Sequence, residues 1–187
     1  MKIRPAILLA FIGLTIIGLT ANAQEYVSPT KPAQTGRSPG VKVKLISGNN
    51  TSKTYAIIFA AGDEVMSGLT EFAQNYHVTS AHFTAIGDVQ TAKVGWYDKS
   101  RKMFKVINIS SPSEITSLIG DIAVYNGKPV VHAHINVADS TGMVHGGHLF
   151  EAFIAPTLEV MMTVEPETLY KKLNQEFDVS VIDPDMK

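Results

Sequence analysis

VVHAHINVADSTGMVHGGHL, residues 130–149, runs as a strand, turns, and comes back as a second strand. Residues 130–138 alternate apolar and polar side chains, and residues two apart on a strand share a face at roughly 7 Å. His132 and His134 therefore present two imidazoles side by side. The turn-forming run Asp139-Ser140-Thr141-Gly142 folds the chain back, so His145 and His148 return antiparallel to the first pair. This stretch holds four of the six histidines in the chain. A single His-x-His also occurs as two hydrogen-bonded surface residues; four histidines across one hairpin point to a metal site. Imidazole suits Zn, Fe and Ni, and three such ligands leave a coordination position open. His145 and His148 are three apart and face opposite sides of a regular strand. Gly146-Gly147 would permit a bulge between them, so parity does not choose the third ligand. Three ligands are easier to build than four.

Working outward, strands are expected over 41–46, 55–60, 80–86, 91–97, 103–109, 114–125 and 145–164, with a last one over 179–182. Gly87-Asp88, Asp98-Lys99-Ser100 and Asn126-Gly127-Lys128-Pro129 supply turns between them. Residues 64–76 form the main helix: Val65, Leu69, Phe72 and Ala73 recur at helical spacing, and Asp63 is placed to cap the first turn. A short second helix is expected over 167–176. Many strands with one well-placed early helix give an α+β domain, with a mixed or antiparallel sheet. There is no glycine-rich phosphate loop, no nucleophile elbow and no cysteine-based zinc motif.

The N-terminus reads as an export signal over 1–23. Lys2 and Arg4 are followed by an uncharged apolar run at 6–20 and by Ala21-Asn22-Ala23, the small-x-small pattern of signal peptidase sites. The run is shorter than the ~20 residues that span a bilayer. Cleavage after Ala23 leaves 164 of the 187 residues in an exported protein, periplasmic or extracellular, enough for one domain. Residues 24–40, with three prolines and two glycines, read as a flexible leader, and the domain proper as 41–184. With no cysteine, stability has to come from the core, from self-association or from metal. Without Lys2 and Arg4 the charge count is 14 basic against 17 acidic residues. That balance gives no electrostatic footprint for nucleic acid, and Lys99, Arg101, Lys102 and Lys105 read as a solvated hairpin tip.

These residues together resemble the plants-and-prokaryotes conserved (PPC) domain. The likeness runs through Gly62-Asp63-Glu64-Val65, Ala85-Ile86-Gly87, Trp96-Tyr97-Asp98 and Glu114-Ile115-Thr116-Ser117-Leu118-Ile119-Gly120-Asp121-Ile122. It continues in Gly127-Lys128-Pro129, His132-Ala133-His134, Gly146-Gly147-His148-Leu149 and Thr157-Leu158-Glu159-Val160, covering about 41–182. The resemblance implies a homotrimer and a divalent metal, zinc first with Fe or Ni as alternatives, held by His132, His134 and His148, with His145 outside the ligand set. It also implies the DNA-binding label that prokaryotic members carry. Two features set this chain apart from that label: it has no Arg-Gly-Arg-Pro hook, Gly36-Arg37-Ser38-Pro39 being a faint echo, and its export signal removes it from chromosomal DNA.

The histidine pattern is more distantly similar to the metal-binding part of α-acetolactate decarboxylase, where a three-histidine zinc polarises a hydroxy-keto acid. Glu151 and Asp139 are the nearest acidic candidates for such chemistry, though each also reads as a solvated or turn residue. The expected function is a metal-holding protein that binds a small acidic ligand. A metal-dependent lyase acting on a small hydroxy-keto acid is the alternative, and DNA binding the third reading.

Overall fold

The computed structural model describes residues 23–48 and 51–187; residues 1–22 of the export signal lie outside them. In chain order the described residues form β1 (Tyr26–Val27), β2 (Lys42–Gly48), β3 (Lys53–Ala60), α1 (Val65–Asn75), β4 (Ser80–Asp98), β5 (Met103–Ile109), β6 (Ser113–Tyr125), β7 (Lys128–Ala138), β8 (Val144–Val164), β9 (Tyr170–Asn174) and β10 (Val179–Asp183). The fold is α+β. One sheet runs β1-β5-β4-β6-β7-β8-β3-β2, and β4 pairs with β8 as well, so β4, β6, β7 and β8 close on themselves. Among the described residues every strand pairing is antiparallel except a short parallel contact of β6 with β9, Val124 opposite Tyr170.

The two sides of this closed sheet differ as the alternation demands. On β7, Val131, Ala133, Ile135 and Val137 are buried and join Leu118 and Ile122 of β6 and Leu149, Ile154, Leu158 and Val160 of β8. Helix α1 lies on β7 and β8 and adds Val65, Leu69, Phe72 and Ala73 to this core. Burial of such side chains is worth about 1.5–3 kcal/mol each, which commits one face of the hairpin to the core and leaves His132, His134 and Asn136 on the other.

Three expectations are corrected. The second helix over 167–176 is absent: residues 170–174 are strand β9, paired to β10 from Asn174 opposite Val179 to Tyr170 opposite Asp183. Asn174 Oδ1 accepts from the backbone N–H groups of Glu176 and Phe177, turning the chain where a helix would have continued. The expected strands at 80–86 and 91–97 are one 19-residue strand, because Gly87-Asp88 makes a register shift rather than a turn. A Cβ on Gly87 would lie 2.8 Å from Leu158 Cα, so this close crossing of β4 and β8 needs glycine. The helix cap is Glu64, not Asp63. Its carboxylate accepts from Met66 N (3.0 Å) and Ser67 N (2.8 Å), whereas Asp63 accepts from Gly40 N and Ala60 N.

Residues 24–40, read as a leader, touch the domain at both ends. Val27 is buried on β5, opposite Phe104, and Arg37 and Ser38 bind the start of α1.

Candidate metal centre

Register alone assembles the histidines. His134 on β7 stands opposite His148 on β8, and the pairing runs without a break from there to Ala138 opposite Val144. Gly146-Gly147 therefore makes no bulge here. The two glycines serve close strand approach instead: a Cβ on Gly147 would lie 2.6 Å from the Gly95 carbonyl oxygen of β4. With the register regular, parity sends His148 to the face of His134, and His145 opposite the buried Val137. His145 sits at the hairpin end with Nε2 3.6 Å from Asp139 Oδ2, away from the group.

The ring centroids of His132, His134 and His148 form a near-equilateral triangle with sides of 5.3, 5.2 and 5.5 Å. One ring nitrogen of each lies within 4.8 Å of the others. His134 is exposed, and the other two are half-buried. His148 is held most firmly: Phe104 stacks on it at 4.5 Å and 18°, and Phe150 meets it at 5.2 Å and 64°. Gly95, directly opposite His148 on β4, makes this possible, since a Cβ there would lie 2.6 Å from Phe150 and 2.9 Å from Phe104.

The electrostatics favour the ligating form of His134 and His148. Burial, with smaller contributions from His132, His134 and Lys171, pushes His148 down to about 3. Partial desolvation of a ring that still reaches solvent, and then the neighbouring His132, lower His134 as well. Both are neutral at ordinary pH, as a metal ligand must be. His132 is oriented by Asp121, whose Oδ2 lies 3.2 Å from its Nδ1. A carboxylate on one ring nitrogen fixes the tautomer and leaves the other nitrogen to ligate. Asp121 is in turn held by Lys171, with Nζ 2.8 Å from Oδ1, an ion pair without an aligned hydrogen bond. Burial works against the Asp121 charge, but His132 and Lys171 keep its carboxyl below the usual range. The donor set, the lowered His134 and His148 and the supporting carboxylate all fit a divalent metal, for which three histidines leave a position open.

The acidic candidates named from sequence lie elsewhere. Glu151 binds Arg37 (2.6 Å) and Lys93 (3.4 Å), and Asp139 caps its own turn through Thr141 N and Met143 N. Sequence reading missed Asp121 and Lys171 as site residues. The signal for Asp121 was a charged residue amid the alternation of 114–125, directly across from His132 once β6 and β7 are paired. Lys171 gave none, because its segment read as helix.

The comparisons bear on the family and the fold. A protein from Ralstonia eutropha JMP134, a candidate DNA-binding protein, is 33% identical, covering 69% of this chain and 90% of its own at a TM-score of 0.66. A plant- and prokaryote-conserved protein from Pyrococcus horikoshii is 26% identical over 76% of this chain and 99% of its own, with a TM-score of 0.68. A metal-containing protein from Archaeoglobus fulgidus shares the fold at 24% identity and a TM-score of 0.64, over 75% of this chain and 97% of its own. No curated protein matches the chain, and the likeness to α-acetolactate decarboxylase gains no support from these matches. The Plants and Prokaryotes Conserved (PCC) domain, the PPC domain under a second abbreviation, matches residues 46–165, well over half of the chain. The chain belongs to the PCC domain family.

Proposed function

We propose that His132, His134 and His148 bind one divalent metal, zinc first, and that the protein is an exported, self-associating binding protein which takes a small acidic ligand at that metal. The observation that carries this reading is the triangle of three imidazoles, 5.2–5.5 Å apart, with one of them oriented by a carboxylate. The metal-containing relative from Archaeoglobus fulgidus supports it. Zinc, iron and nickel all accept such a donor set, and a bound dication supplies Lewis acidity toward an oxygen ligand. Export is supported by the charged start, apolar run and Ala-Asn-Ala of the N-terminus.

Assembly as a trimer is supported by the family and by an apolar row on the outer sheet face. Ile119 and Met161 flank Thr84 in register and are 55% and 47% exposed, with Ile86 at 64% beside them. DNA binding, the label of the Ralstonia relative, is disfavoured by the acidic balance and by the cleft beside Ile86, lined by Asp88, Glu114 and Glu159. The test is elemental analysis and zinc titration of the protein from Gln24 onward. One metal per chain with micromolar affinity or better is expected; no metal and no zinc heat would overturn the reading.

A further inference from the structure

The C-terminal hairpin β9–β10 lies beyond the family match at 46–165, yet it is anchored to the centre of the molecule. Leu169 O accepts from Val124 N at 2.7 Å, the Tyr97 hydroxyl donates to Phe177 O, and Lys102 Nζ donates to Gln175 O at 3.2 Å. This anchoring drives Lys171 inward. Its side chain is 2% exposed, with the ammonium against Asp121, while its neighbour Lys172 points out to Asp183. Asp121 thus links an ammonium of the C-terminal hairpin, on one carboxylate oxygen, to the imidazole of His132, on the other.

A buried ammonium is costly to desolvate, and its charge opposes that of any cation nearby. An apolar side chain would fill the place more cheaply if packing were all that was needed. The charge sum shows what Lys171 changes. Imidazoles that ligate a metal are uncharged and contribute nothing, and an unpaired Asp121 would lend the centre a negative charge. With Lys171 against it that charge is cancelled, and a dication in the site keeps its full +2. We propose that Lys171 is a specificity-determining residue that suits the centre to a small anion, a carboxylate first, in the position the histidines leave open, while Asp121 positions His132. The inference rests on the metal-centre reading and names the class of ligand that centre takes.

The test uses the protein from Gln24 onward loaded with cobalt(II), whose visible spectrum reports the coordination sphere, titrated with acetate. Wild type is expected to take one cobalt per chain and to show a saturable spectral change with acetate. Lys171→Met is expected to bind cobalt but to bind acetate about tenfold more weakly, the scale of one unscreened charge at this range. Lys171→Arg keeps the charge and restores acetate binding. Asp121→Asn is expected to lose about 10–100-fold in cobalt affinity with no loss of acetate affinity in the loaded form. Should Lys171→Met fail to fold, the double variant Asp121→Asn/Lys171→Met buries no lone charge and is expected to bind acetate about tenfold more weakly than Asp121→Asn alone. Equal acetate affinity across the series would overturn the role of Lys171 while leaving the metal centre standing. Failure of wild type to take up cobalt would overturn both.

Discussion

Two charge clusters, each built on one buried charge and completed by a segment outside the family match, sit on opposite sides of the hairpin and do different work. At the start of α1, Glu64 is fully buried and accepts from Met66 N, Ser67 N and Ala152 N, with Arg37 of the N-terminal segment at 3.0 Å. Burial raises its carboxyl against the pull of those donors, and every one of them comes from the chain itself. Across the sheet, Lys171 and Asp121 end on His132, and His132 ends on two more imidazoles whose ring nitrogens face one another. The first cluster closes a helix terminus and ties down residues 36–38. The second ends on three imidazoles, each with one ring nitrogen within 4.8 Å of the others. The Glu64 carboxylate is satisfied by its own chain, though Arg37 Nε beside it has no hydrogen-bond partner among the described residues; what sets the second cluster apart is its convergence on three metal-ligating side chains.

The largest effect should come from the closed cluster. Glu64→Ala removes the acceptor of three backbone N–H groups and one of the two carboxylates that hold Arg37, the other being Glu151, and is expected to cost about 3–5 kcal/mol, the range for breaking a buried pair. Glu64→Gln keeps the shape and is expected to cost about 1–3 kcal/mol. Urea unfolding measures both. Zinc affinity of the folded fraction is expected to stay at the wild-type value; a parallel loss of metal binding would erase the contrast between the clusters.

Next in size is Gly147→Ala. The added methyl would meet the Gly95 carbonyl at 2.6 Å, forcing β8 away from β4 beside His148. The expected cost is about 1–3 kcal/mol, as for other over-packed sites, together with weaker zinc binding. Destabilisation with unchanged zinc affinity would show that strand approach does not set the site geometry.

Acid separates the clusters in the metal-free protein. The folded His148, at about 3, lies below the unfolded value near ~6.5. As pH falls below ~6.5 the unfolded chain takes up this proton first, so stability is fully present above that pH and is lost progressively toward about 3. His148→Asn is expected to flatten the slope of stability against pH over that window, and saturating zinc to suppress it in wild type. A slope that His148→Asn leaves unchanged would assign it to other groups.

The smallest effect is expected from Phe104→Leu, which removes the ring stacked 4.5 Å from His148. Loss of an aromatic pair of about 0.5–1.5 kcal/mol translates into zinc affinity weakened a few-fold, read by calorimetry. An unchanged affinity would mean that Phe150 and strand register hold the ring without it.

The sequence made the hairpin and the helix legible because both are local. Alternation at 130–138 and helical spacing at 64–76 need no distant partner to be read. His132 and His134 followed from the same alternation. His148 came from family likeness, since parity left His145 open until the β7–β8 register was known. What stayed hidden depends on contacts far apart in the chain. Leu169 and Leu173 are spaced as on a helix, and only the pairing of β9 with β10 makes 170–174 a strand. Gly87 reads as a turn because its reason, the crossing of β8 at Leu158, is 71 positions away (158 minus 87). Asp121 and Lys171 are site residues only through register and docking.

The central claim is that the three facing imidazoles form one metal site, and zinc titration of single alanine variants tests it most directly. His132→Ala, His134→Ala and His148→Ala are each expected to lose most of the affinity, with His145→Ala close to wild type. Loss of binding in His145→Ala with binding retained in His148→Ala would contradict the account.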